Sequence, residues 1–179
     1  MSDQVDPQKT VEAAREFATI ALDKLSDERG VHAETVIAGV ARMAGTFLFR
    51  SFGFNLKDAK PGEAVLSEVA NEQGPRLINI AGSALAGVGI HPDLNKLTDE
   101  LRSDHKPLMA FLETQKRLEP SFDEVRARVG LLLPQGADAA ALATAMLIQQ
   151  TREVLIPDLA FDIAAYGFIE GTKTIPADV

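Results

Sequence analysis

The stretch HAETVIAGVARMAGTFLFRSF, residues 32–52, decides how the rest of the chain reads. Val36, Ile37, Val40, Met43, Phe47, Leu48, Phe49 and Phe52 cover most of the circumference of a helix drawn through it. A helix apolar nearly all round belongs at a protein's centre, since it keeps almost no face for water. Ala38, Ala41 and Gly45 add a second property, because residues three and four apart stack on one helix face. Small side chains there make a smooth stripe, and a second helix axis can approach it toward the short end of the roughly 8–10 Å packing range. Similar stripes recur at Gly82 and Ala86, and at Ala137, Ala141 and Ala145. The sequence therefore predicts an all-α bundle with close helix crossings.

Upstream, Asp6-Pro7 supplies an N-cap followed by proline at the first helical position. Val11, Ala14, Phe17, Ala18, Ala21, Leu22 and Leu25 then repeat at the helical period, so a first amphipathic helix ends before Gly30. Downstream, Asn55, Asp58, Lys60 and Pro61 mark a loop over 53–62. A short helix is expected over 63–72, with Gly74-Pro75 ending it and opening another that stops at Gly89. Pro92-Asp93 begins a short helix with Leu94, Leu97 and Leu101 inward, and Pro107 opens the next. Ser121 and Glu124 have the spacing of a capping box, which predicts a separate helix from Ser121 to Gly130. Residues 131–134 read as an apolar connector and 138–155 as the most apolar helix, paired with 32–52 at the centre. Pro157 breaks the chain there, and a last helix runs from it to Glu170 and stops at Gly171. The whole, 1–179, reads as one helical domain of about seven to eight helices, mostly antiparallel neighbours.

A chain of 179 residues is long enough to bury a core without staples, and it has no Cys. Disulfides, thiolate metal sites and cysteine nucleophiles are thereby excluded. The formal charge is −8 and the basic residues sit among acids, which argues against a nucleic-acid partner. The N-terminal residues 1–4 are polar, and the most apolar run, 77–90, is shorter than the roughly 20 residues that span a bilayer. A cytoplasmic protein with no membrane partner is expected.

Motifs that carry chemistry are missing. No His has a Glu three residues before it, and His-Glu-x-x-His is absent, so no metal is expected. His32 with Glu34, His91 with Asp93 and Asp104 with His105 stand at helix ends, where such residues cap. The glycines over 82–89 lack the Lys-Ser/Thr of a phosphate loop and the third Gly of a dinucleotide fingerprint. No cofactor and no catalytic residue is assigned.

Polar stripes remain. Glu34, Arg42, Thr46 and Arg50 fall on one line of the helix over 32–52, and Arg42, Thr46 and Arg50 are the candidate ligand-binding residues, suited to a dianion. Either arginine can instead face water or pair with an acid. Asp158, Asp162, Tyr166 and Glu170 repeat every four residues on the last helix, as an acid–base set, a hard-cation site or a wet face. Asn79 and Ser83 form a thinner stripe, read as hydrogen-bonding groups between helices.

These readings favour a non-catalytic interaction module that acts through protein–protein contacts. Phe47, Phe49, Phe52 and Phe54 crowd together as an apolar surface beyond what a monomer exposes, which predicts a two-fold homodimer. The alternative is a binding protein or enzyme for an anionic small molecule, with its pocket between helix 32–52 and helix 157–170.

Overall fold

In the computed structural model, which describes residues 6–56 and 58–178, the decisive stretch is a helix over Ala33–Ser51. The polar residues 1–4 lie outside the described residues. In chain order the elements are α1 (Pro7–Lys24), α2 (Ala33–Ser51), α3 (Glu68–Gly87), a 3-10 turn (Leu94–Lys96), α4 (Asp99–Asp104), α5 (Phe111–Val129), α6 (Leu133–Thr151) and α7 (Pro157–Lys173). Seven α-helices and no strand among the described residues make this the all-α bundle that the periodicity predicts.

Sixteen of the 19 residues of α2 are buried, so it is the central helix. Its main neighbours are α7 and α6, while α6 also packs on α1 and α3. Ala137, Ala141 and Ala145 are all buried on α6, as their stripe implies. Phe17 of α1 stacks on Phe122 of α5, with ring centroids 4.2 Å apart, and joins that layer to Phe47 of α2 at 6.2 Å.

The crossing of α2 and α7 rests on missing side chains. A Cβ placed on Gly45 lies 2.5 Å from the Thr172 nitrogen and 2.6 Å from the Gly171 Cα. On the facing helix, a Cβ on Gly167 lies 2.9 Å from the Ala41 Cβ, and one on Gly171 runs into the Arg42 carbonyl oxygen. The obstacles are mostly backbone, which cannot rotate away. The stripe Ala38, Ala41 and Gly45 thus meets its partner in Gly167 and Gly171, and Gly171 lies inside α7 instead of ending it. Gly82 and Ala86 do not form such a crossing. Gly82 makes an ordinary contact with Phe161, and Ala86 is exposed.

Several expected boundaries are absent, for one reason. Pro75 lies within α3 and Pro120 within α5, so 63–72 is not a separate helix and Ser121 is not a cap. Both prolines are exposed, as are Asn71 and Lys116, whose carbonyls lose their helical donors. Water takes the place of the missing N–H, and the helix continues. Pro134 sits in the first turn of α6, where proline is tolerated, so α6 begins at Leu133 instead of residue 138 and ends at Thr151. Asn79 and Ser83 are exposed and join no helices.

The phenylalanines that grounded the expectation of a dimer are largely internal. Phe47 and Phe49 are buried, Phe52 and Phe54 half-buried, and Phe54 meets Phe49 and Phe52 edge-on at 5.3 and 5.5 Å. Among the described residues no single helix is long and apolar enough to cross a membrane.

Because the crossing leaves no room for a methyl group, Gly171→Ala should destabilise the fold by about 1–3 kcal/mol, and Gly45→Leu by at least as much. Urea midpoints measure this. Unchanged midpoints for both variants would show that the helices approach less closely than described.

Candidate functional site

Two arginines project from the most buried helix, and each must find a counter-charge, since an unpaired buried guanidinium is costly. Arg42 is 8% exposed. Its Nε donates to Glu170 of α7 at 2.6 Å, and another guanidinium nitrogen donates to the Met109 carbonyl at 2.8 Å and to the Thr114 hydroxyl at 3.3 Å. Arg50 forks onto Glu119 of α5 and donates to the Ala177 carbonyl at 2.7 Å. Gln115 completes that second cluster, accepting from the Ala177 N–H and donating to the Ala177 carbonyl. Thr46, between the two arginines in sequence, is fully buried, and its hydroxyl has no hydrogen-bond partner among the described residues.

The structure therefore does not bring Arg42, Thr46 and Arg50 into one site. Arg50 borders clefts on the side of residues 175–178. Arg42 borders a different cleft of about 460 Å³ between α2, α7 and the segment after α4. On its α7 wall stand Asp162, Tyr166 and Glu170, so most of the acidic stripe does converge with Arg42. Asp158 does not; its carboxylate accepts the Asp93 N–H ahead of the 3-10 turn.

The opposite rim is Arg102, His105, Lys106 and Pro107. Arg102 reaches across to Asp162 at 3.0 Å. His105 Nδ1 lies 2.7 Å from Glu34 Oε1, and a carboxylate only accepts, so Nδ1 carries the proton. The bonding continues through Glu34. Its other oxygen is 3.4 Å from His32 Nε2, His32 Nδ1 is 2.8 Å from the Thr35 hydroxyl, and that hydroxyl accepts the Leu108 N–H at 2.9 Å. A closed set of polar contacts thus joins the first turn of α2 to residues 105–108. His32 and Glu34 serve as capping and first-turn groups of α2, as expected of a helix start. Among the described residues, no three His, Asp or Glu side chains form a set that could hold a metal ion.

Of the basic side chains on this cleft, Arg42, Arg102 and His105 each have a carboxylate partner. Lys106 is exposed, with no carboxylate within ion-pair distance among the described residues. Ala38, Ile163 and Gly167 contribute apolar floor. Sequence reasoning missed Arg102, His105 and Lys106 as site residues because they follow no helical period and lie far from α2 and α7 in the chain. The only signal was the density of charge over 102–106.

No protein family, curated protein or solved structure matches this chain.

Arg50→Ala should cost about 3 kcal/mol, because it leaves the Glu119 carboxylate buried without its cation. Adding Glu119→Leu should recover part of that loss. A midpoint unchanged by Arg50→Ala would show that the ion pair contributes nothing to the fold.

Burial raises the pKa of the Glu34 carboxyl, but the His105 hydrogen bond, a backbone hydrogen bond and the nearby His32 outweigh it and hold the group below the ordinary carboxylate range. A lowered folded pKa contributes stability above the unfolded pKa and loses it as pH falls through the folded value. Glu34→Gln should therefore be less stable than the wild type at neutral pH, with the gap closing in acid below the usual carboxylate range. Urea midpoints across pH test this, and a gap that widens in acid would reverse the assignment.

Proposed function

We propose that the cleft between α2, α7 and residues 102–107 binds a small molecule with one anionic group and an apolar or aromatic body. The observation that carries this reading is the pairing pattern at the rim. Both rim arginines are paired with the protein's own carboxylates and the His105 ring is hydrogen-bonded to Glu34, which leaves the Lys106 ammonium as the one unpaired basic group open to a ligand among the described residues. A ligand with two separate anionic groups would have to break Arg42 from Glu170 or Arg102 from Asp162. A monocarboxylate or a phosphate monoester needs neither. The volume of about 460 Å³ falls within the roughly 300–1,000 Å³ of small-molecule sites. Ala38, Ile163 and Gly167 beneath, and the Tyr166 ring beside them, suit the uncharged part of such a ligand.

Protein–protein contact through the phenylalanine cluster loses its main support, since two of those rings are buried and two half-buried within the chain.

Butyrate, benzoate and phenyl phosphate, screened by thermal shift, form the test. At least one should raise the melting temperature, since a ligand that binds only the folded state stabilises it. Lys106→Gln should weaken that ligand roughly tenfold, the loss of one charged hydrogen bond, while Lys116→Gln, exposed on α5 and outside the lining of the cleft, leaves it unchanged. No shift with any of the three, or a shift that survives Lys106→Gln, would remove the cleft as an anion site.

A further inference from the structure

Residues 93–108 differ from everything around them in what holds them down. Neither the 3-10 turn nor α4 has a buried residue, and in the whole stretch only Leu97 reaches the buried range, at 9% exposure. Leu94, Leu97 and Leu101 rest against the edge of the core, and hydrogen bonds at the ends and middle of the stretch supply its other ties. The Asp93 N–H binds Asp158, Arg102 binds Asp162, His105 binds Glu34, and the Leu108 N–H binds Thr35. At the leading end Gly89 takes a φ of +79°, open to glycine and strained for other residues, and at the trailing end stands Pro107.

A segment held by three leucines, of which one is buried, and by a few side-chain hydrogen bonds opens at a smaller free energy than the core. This one also forms a wall of the cleft and carries its unpaired ammonium. We propose that residues 93–108 form a lid that opens as one unit, admits the ligand when open, and is drawn shut when an anion on Lys106 ties it to α2 and α7. The role of Lys106 rests on the reading of the cleft as a ligand site; the opening motion does not. Arg102–Asp162 and Leu108–Thr35 are its latches. They are six residues apart in sequence with the His105–Glu34 contact between them, so breaking one should loosen the other only if the segment moves as a body.

Hydrogen exchange of the full-length chain, resolved by residue, reads this directly. In the free protein the amides of residues 102–104 and of Leu108 should exchange much faster than those of residues 40–44 in α2. Arg102→Ala removes a partly exposed pair of up to about 1 kcal/mol, so it should speed exchange at Leu108 by up to roughly fivefold while residues 40–44 stay unchanged. Thr35→Val cuts the other latch and should speed exchange at residues 103 and 104 in return. Simple fraying of α4 would leave Leu108 unmoved in Arg102→Ala, and that result overturns the lid. So does acceleration of α2 by the same factor, which would mean that the segment opens only with the whole fold. If the two latches respond to each other but butyrate, benzoate and phenyl phosphate all fail to bind, the ligand reading falls and the lid stands. If one of them binds and leaves the exchange of residues 102–108 unchanged, the lid falls and the ligand site stands.

Discussion

The α2–α7 crossing is the constraint on which the rest of the structure depends. Gly45 and Gly171 bring two backbones into contact, with Ala38, Ala41 and Gly167 extending the smooth seam along both helices. Contact this close gains dispersion along two full backbones, but it leaves no tolerance for added volume. Once α7 lies flat on one side of α2, the remaining sides must be covered by α6 and α5, because α2 has almost no polar face to show. The order of layers follows from that one contact.

The same constraint explains the long-range polar bonds. Arg42 and Arg50 lie on a helix that is covered nearly all round, so their charges have little access to water. Each meets a carboxylate from an element distant in sequence, Glu170 for Arg42 and Glu119 for Arg50, with backbone carbonyls taking further donors. Such pairs add little net stability compared with well-packed apolar residues, yet breaking one is costly. They hold particular neighbours in place. Glu170 holds Arg42 at the edge of the cleft, and Glu119 with Gln115 holds the chain near Ala177 against α5 and α2.

The proposed cleft lies where this packing is incomplete. α7 touches α2 closely at the glycines, but no long helix closes the gap on the side of Asp162 and Tyr166. Residues 93–108 close it instead, with side-chain hydrogen bonds and a narrow apolar edge of Leu94, Leu97 and Leu101 in place of a fully buried helix face. Small-molecule sites commonly occupy such junctions between a rigid floor and a lightly held wall. The density of charge at this rim is a consequence of the same arrangement, since a segment without a core needs polar partners to stay in place.

The sequence by itself determined the class of fold, the central place of residues 32–52, the small-residue seam on that helix and the buried alanines of α6. All of these are written in local periodicity, and burial enforces them wherever the helices end up. It misplaced helix ends where proline or glycine stood. An interior proline such as Pro75 or Pro120 breaks a helix when the orphaned carbonyl is buried, which depends on the face that meets solvent, while Pro134 falls in a first turn where proline is tolerated. Gly171 looks identical in sequence as a helix stop and as a contact point; only the approach of Gly45 distinguishes the two. The polar site was hidden for the same reason. The four-residue spacing placed Arg42 and Arg50 on one line, but tertiary structure sent them to different acids and different clefts. It also brought Arg102, His105 and Lys106 to Arg42 across a gap of some sixty residues, a juxtaposition set by the path of the chain and not by any local pattern.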